Sequence, residues 1–149
     1  MTESVPPAEL HLQKLRRARD QIDRDYQRRL RISALAQEAG YSTTQFIRAF
    51  RRRYGETPGR YRLRRRMERA AELLRSVNLT VTEVCFMVGC DSLGSFSTQF
   101  SRLQGMPPSE YRREAVRRGG PAPIPGCFVL MWESGLPAAP ASEPTHWVD

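Results

Sequence analysis

Two short stretches hold the side chains best suited to bond something outside the chain. In the first, turning Phe46, Ala49 and Phe50 inward leaves Thr43, Thr44, Ile47, Arg48 and Arg51 on the open face. The guanidinium of Arg48 is a rigid fork of donors, and the O6/N7 edge of guanine is a pair of acceptors that fits it. Ile47 is odd on a purely solvated face. A thymine methyl and a position at the edge of the core both explain it. Ser42, Arg51 and Arg52 suit phosphate contacts, with Arg53 a similar or simply solvated charge. The second stretch offers Leu93, Gly94, Ser95, Ser97 and Thr98, with Arg102 further along. Thr98 stands where the first has Arg48, so this face allows apolar, hydroxyl or water-mediated contacts but few bidentate ones. The first stretch is expected to carry most base discrimination, and the second mainly affinity and register, with Arg102 on phosphate.

The two stretches are one motif met twice. At an offset of 50, Ser42, Phe46, Phe50, Gly55, Pro58, Tyr61 and Arg62 fall on Ser92, Phe96, Phe100, Gly105, Pro108, Tyr111 and Arg112. Upstream of the turn the offset is 49, placing Ile32, Leu35, Ala36, Ala39 and Gly40 on Val81, Val84, Cys85, Val88 and Gly89. The second turn therefore carries one extra residue. Two copies are too few for a solenoid and indicate a duplicated small module.

Positioning these faces requires helices. Leu15, Ala18, Ile22 and Tyr26 share one side of a helix expected from Glu9 to about Gln27, with Arg16–Asp20 and Arg19–Asp23 as i,i+4 pairs opposite. A short helix over 32–39 ends at Gly40. Ser42 and Gln45 then form a capping box for a helix over about 43–54. Two helices broken by a glycine-containing turn, with the small Ala36 at their crossing, make a helix-turn-helix pattern. Thr57 and Pro58 open a longer helix running to about Val77, with Tyr61, Met67, Ala70, Ala71 and Leu74 facing a core. A second box, Thr80 with Glu83, opens the second copy, with helices near 81–88 and 93–103 and a last one from Pro108 to about Arg117. The linker's ~30 Å length approaches the ~34 Å between successive major-groove faces of B-DNA.

The expected fold is all-α, with about seven helices arranged as two helix-turn-helix subdomains on one linker helix. Residues 1–8 are expected as a disordered tail, 9–56 as the first subdomain, 57–78 as the linker, 79–118 as the second subdomain and 119–149 as an irregular Pro-rich tail. Within that tail the apolar run 127–132 reads as a short strand or, preferably, a segment docked on the helical body.

Charge favours a polyanionic partner. The formal net charge is +8, and residues 1–118 hold all 24 basic residues against 13 acidic ones. Of the basic residues only Lys14 is a lysine. Cys85, Cys90 and Cys127 are an odd set without CxxC spacing. The first two fall at apolar repeat positions, which suits buried free thiols in a reducing cytosol. His11 and His146 have no partner spacing for catalysis or metal, and no phosphate loop, HExxH or GxSxG is present. Neither an enzyme nor a metal or cofactor site is expected. No signal peptide or spanning apolar run is seen.

The doubled motif resembles the AraC/XylS transcriptional regulators over roughly residues 10–117. Gly, small polar residues, Phe-x-x-x-Phe, Gly, Pro and Tyr-Arg over 89–112, and the linker stretch 66–74, carry the likeness. The resemblance implies two helix-turn-helix units on one long helix. It also implies base contacts from Thr44, Ile47 and Arg48 and from Leu93, Gly94, Ser97 and Thr98. The chain departs from the family pattern at Cys90, where an aromatic is usual, and at Thr98, where Arg is common. It looks like the stand-alone DNA-binding type or a fragment of a longer regulator.

The expected partner is double-stranded DNA, bound by a monomer at an asymmetric promoter site of about 15–20 bp in the cytoplasm. The family likeness adds RNA polymerase as a further partner, with no membrane involved. A protein-interaction module and a non-specific basic nucleic-acid binder are the alternatives.

Overall fold

The computed structural model describes residues 6–119 and the backbone of Ile124 and Pro125. Local capping rules decide where its helices start. Helix α1 spans Pro7–Asp25, with proline in its first turn, where the missing N–H is harmless. Helix α2 is Ile32–Glu38 and α3 is Thr43–Tyr54, the latter closed by the expected Ser42/Gln45 box. Helix α4, Pro58–Ser76, begins at the Thr57 cap and runs about 28 Å. The two-residue strand β1, Val77–Asn78, leads into α5, Val81–Met87, which the Thr80/Glu83 box caps. Helices α6, Leu93–Gln104, and α7, Pro108–Arg117, complete the second copy. Strand β2, Ile124–Pro125, pairs parallel with β1.

Two separate cores hold these elements, and α4 contributes to both. The first gathers Leu15, Ala18 and Ile22 of α1, Leu35 and Ala36 of α2, and Phe46 and Phe50 of α3, with Tyr61 of α4 at its edge. The second joins Met67, Ala70, Leu73 and Leu74 of α4 to Val84, Cys85, Val88, Phe96 and Phe100. Ring geometry repeats between copies. Phe50 meets Tyr61 edge-on at 5.7 Å and Phe100 meets Tyr111 edge-on at 5.3 Å. Fully burying Phe50 and Phe100 stabilises the fold by about 1.5–3 kcal/mol each. Ala36 is fully buried, as the close crossing of α2 and α3 requires.

Several expectations change. Residues 7 and 8, expected in a disordered tail, belong to α1. The Arg16–Asp20 and Arg19–Asp23 pairs do not form. Arg19 bonds Asp20 instead, and Asp23 turns to Tyr61 and Arg65 of α4. Cys85 is buried, but Cys90 is only half-buried. The stretch after 119 is not wholly irregular, because Ile124 and Pro125 pair with Val77 and Asn78. The apolar run 127–132 and Cys127 lie outside the described residues.

Candidate nucleic-acid interface

Helix α3 is anchored from behind by Phe46 and Phe50, both fully buried, which fixes the face it turns outward. Its first turn is locked by reciprocal bonds. The Gln45 N–H donates to Ser42 Oγ at 3.2 Å, and the Ser42 N–H donates to Gln45 Oε1 at 3.3 Å. Ser42 Oγ accepts in the cap, so its own O–H remains able to donate outward. Beyond this turn Thr43, Thr44, Arg48, Arg51 and Arg52 are exposed. Ile47 is half-buried, and it is not among the apolar side chains packed on the first core.

The arginines of α4 and those of the two outward faces differ in their partners. Those in the middle of α4 are engaged internally. Arg64 bonds Glu56 at 2.7 Å and Glu68 at 2.5 Å, while Arg65 bonds Asp23 at 3.0 Å and Glu68 at 2.7 Å. The hydrogen bond that Arg64 donates to Glu56, with the one to Glu68 adding to it, raises the Arg64 pKa despite partial burial. Partial burial would raise the Glu68 carboxyl, but bonds from Arg64 and Arg65 outweigh it and hold that carboxyl low. In contrast Arg48, Arg51 and Arg52 on α3, and Arg102 on α6, have no ion pair among the described residues. Unpaired guanidinium groups on one helix face keep their full bonding capacity for an outside anion or base edge.

Helix α6 is backed in the same way by Phe96 and Phe100, and the Ser95 N–H donates to Ser92 Oγ at 3.3 Å. Its outer face is different in kind. Leu93 is 41% exposed, Gly94 and Thr98 are exposed, and Ser97 is half-buried. The Thr98 hydroxyl donates to the Gly94 carbonyl at 3.0 Å, leaving it only lone pairs and a methyl to offer. The Ser97 carbonyl accepts from Ser101 Oγ at 2.7 Å. This face suits methyl and shape contacts. All the expected base-facing residues thus collect on two helix faces, joined through α4.

Residues not singled out as site residues in the sequence tie together the elements behind these faces. Arg62 and Arg66 of α4 donate to backbone carbonyls at the end of α1. The Tyr41 hydroxyl and His11 Nδ1 share a hydrogen bond, tying the first turn to α1. Arg62 carried a signal as the repeat partner of Arg112, and Arg66 as the first residue of the linker stretch 66–74. Among the described residues no group of histidine, cysteine and acidic side chains could hold a metal, and no helix is long and apolar enough to cross a membrane.

A family model described as a helix-turn-helix domain matches residues 35–114. The transcriptional activator AarP of Providencia stuartii is 35% identical over 91 residues, 61% of this chain and 67% of AarP. Two other curated regulators are matched over only 37% and 30% of their own length. Among solved structures, the C-terminal domain of AraT, a response regulator from Geobacillus stearothermophilus, aligns with a TM-score of 0.64 at 32% identity. That alignment covers 68% of this chain and 84% of the other. The DNA-binding domain of AdpA, a global transcriptional factor solved with a target DNA, aligns with a TM-score of 0.62 at 25% identity, over 73% and 95%. With one helix-turn-helix repeated on a shared helix, and relatives of this kind over most of its described length, the chain belongs to the AraC/XylS family of transcriptional regulators.

Proposed function

We propose that the chain is a sequence-specific double-stranded DNA-binding regulator whose α3 and α6 enter adjacent major-groove segments. The observation that supports it most is the row of exposed, unpaired arginines on α3, on a helix held by a capping box and two buried phenylalanines. Arg48 reads guanine, Thr43, Thr44 and Ile47 contact neighbouring base edges, and Ser42, Arg51, Arg52 and Arg102 hold phosphates. Leu93, Gly94, Ser97 and Thr98 supply methyl and shape contacts at the second segment. The duplicated unit provides two reading heads in one chain, so a monomer suffices and the site is asymmetric, about 15–20 bp long. Such a regulator acts on promoter DNA in the cytoplasm, with RNA polymerase as a further partner. The working subdomains are 9–56 and 79–118, joined by the linker at 57–78.

The test is selection of bound duplexes from a random pool at about 150 mM salt, followed by a salt series on the winner and on scrambled DNA. Two blocks about one helical turn apart are expected. A single short block would remove α6 from base reading. No enrichment, with a steep salt slope on every duplex, would leave only a non-specific basic binder.

A further inference from the structure

Gly40 and Gly89 occupy the same place in the two turns, and both take positive φ, +75° and +87°. Their surroundings differ. A Cβ on Gly40 would meet only the flexible end of Lys14, 3.6 Å away. A Cβ on Gly89 would lie 2.1 Å from the Gln27 carbonyl oxygen, 2.7 Å from its carbon and 2.9 Å from its Cα. The second turn therefore rests directly on the backbone of the α1–α2 connection, which belongs to the first unit.

That connection is itself pinned to the linker. The Tyr26 carbonyl accepts from Arg66 Nε at 2.6 Å and from Arg62 Nε at 3.3 Å, and the Arg28 carbonyl accepts from both guanidinium groups. Arg29 lies 3.8 Å from Asp91, the residue two before α6. This last pair is too exposed to hold anything, but it extends the same line of approach. Three elements thus meet at one point: the end of α1, the middle of α4 and the turn leading into α6.

We propose that this three-way contact, closed by Gly89 on Gln27, is a specificity-determining device that sets the angle between α3 and α6 and hence the base-pair spacing the protein accepts. The inference rests on the reading of two helices in two groove segments. Core packing joins each unit to α4 separately, without joining one unit to the other. The Gly89 contact adds a direct point of support between the two units, off the axis of α4. The unit of discrimination is one base pair, about 3.4 Å along the duplex.

The experiment measures affinity of the full chain for a series of duplexes carrying the two selected blocks with spacers shortened or lengthened by one or two base pairs. The unsubstituted protein is expected to lose about tenfold or more for one base pair of change. Gly89→Ala, checked for folding by circular dichroism, is expected to flatten or shift that spacing preference while keeping the base preference within each block. Gly40→Ala is the control, because it carries the same turn strain without touching the other unit, and its spacing preference stays that of the parent. Arg66→Met loosens the α1–α2 connection from the α4 side and is expected to broaden the spacing preference too, which decides the matter if Gly89→Ala does not fold. If either folded variant, Gly89→Ala or Arg66→Met, keeps the parent's sharp optimum, the inference is overturned. If the parent itself selects only one block, the two-headed reading fails first and the spacing device falls with it.

Discussion

The Nε of Arg66 donates to the carbonyl oxygen of Tyr26 at 2.6 Å, joining the linker helix to the end of α1 across 40 residues of sequence. Carbonyls at a helix C-terminus lack intrahelical donors and lie at the negative end of the helix dipole, so a guanidinium is well matched to them. The second copy repeats the device more loosely. Arg112, the counterpart of Arg62, donates through Nε to the Leu74 carbonyl near the end of α4 at 3.4 Å. In each copy an arginine of the helix that follows the helix-turn-helix thus reaches back to the end of the helix that precedes it.

Arg66→Met keeps the apolar stem and removes the donors. It is expected to destabilise the protein by about 1.5–3 kcal/mol, the range for a hydrogen bond to a charged group. Urea unfolding checks this, and an unchanged midpoint would mean that water replaces the guanidinium without loss.

Arg48→Ala and Arg51→Ala separate base reading from phosphate holding. Arg48→Ala is expected to lose about 1–3 kcal/mol on the selected site and to relax preference at one position. Arg51→Ala is expected to weaken all duplexes alike and to lower the salt slope by about one. Binding titrations of matched and single-mismatch duplexes across a salt series give both numbers. Identical behaviour of the two variants would make Arg48 a phosphate contact.

The Tyr61 hydroxyl donates to Asp23 Oδ1 at 2.9 Å and to Oδ2 at 3.0 Å. Partial burial, then the bond and charge of Asp23, push its pKa from 10.0 to about 12. A folded value above the unfolded one stabilises the fold fully below pH 10.0 and loses that contribution as the pH rises through about 12. Phenolate absorbance is expected to show a tyrosine step near pH 12 that Tyr61→Phe removes, while Tyr41, which burial also raises, titrates in both proteins.

Burial, with Cys90 and Asp91 adding to it, lifts the Cys85 thiol to about 11. Near pH 8 only about one molecule in a thousand then carries the reactive thiolate. In a Cys127→Ser background Cys85 is expected to resist a thiol reagent until the protein unfolds. Cys90, also raised by burial but half exposed, reacts earlier. Mass spectrometry of the labelled protein at increasing urea distinguishes the two.

Much of this structure was legible in the sequence because the rules that write it act within a few residues. The Ser42/Gln45 and Thr80/Glu83 boxes, the Thr57 cap and the buried pairs Phe46/Phe50 and Phe96/Phe100 all follow from helical period and capping chemistry. The same rules misplaced Asp23. At i,i+4 from Arg19 it reads as a local partner, yet it bonds Tyr61 and Arg65, which lie 38 and 42 residues away. A half-buried carboxylate takes the partners that share its burial, and sequence spacing does not name them. Residue type alone also left the partners of the arginines open. Arg64 and Arg65 look as available as Arg48 and Arg51, and only the packing of α4 shows which pair is engaged.

The sequence by itself determined the two capped helix-turn-helix units and the outward faces of α3 and α6. Only the tertiary structure decided how those units stand to each other. Gly40 and Gly89 read as equal turn glycines, and positive φ is all that local chemistry asks of either. The contact that separates them lies between backbone atoms 62 positions apart and has no side chain to announce it. It arises where two units, each correct on its own, are brought together on one helix.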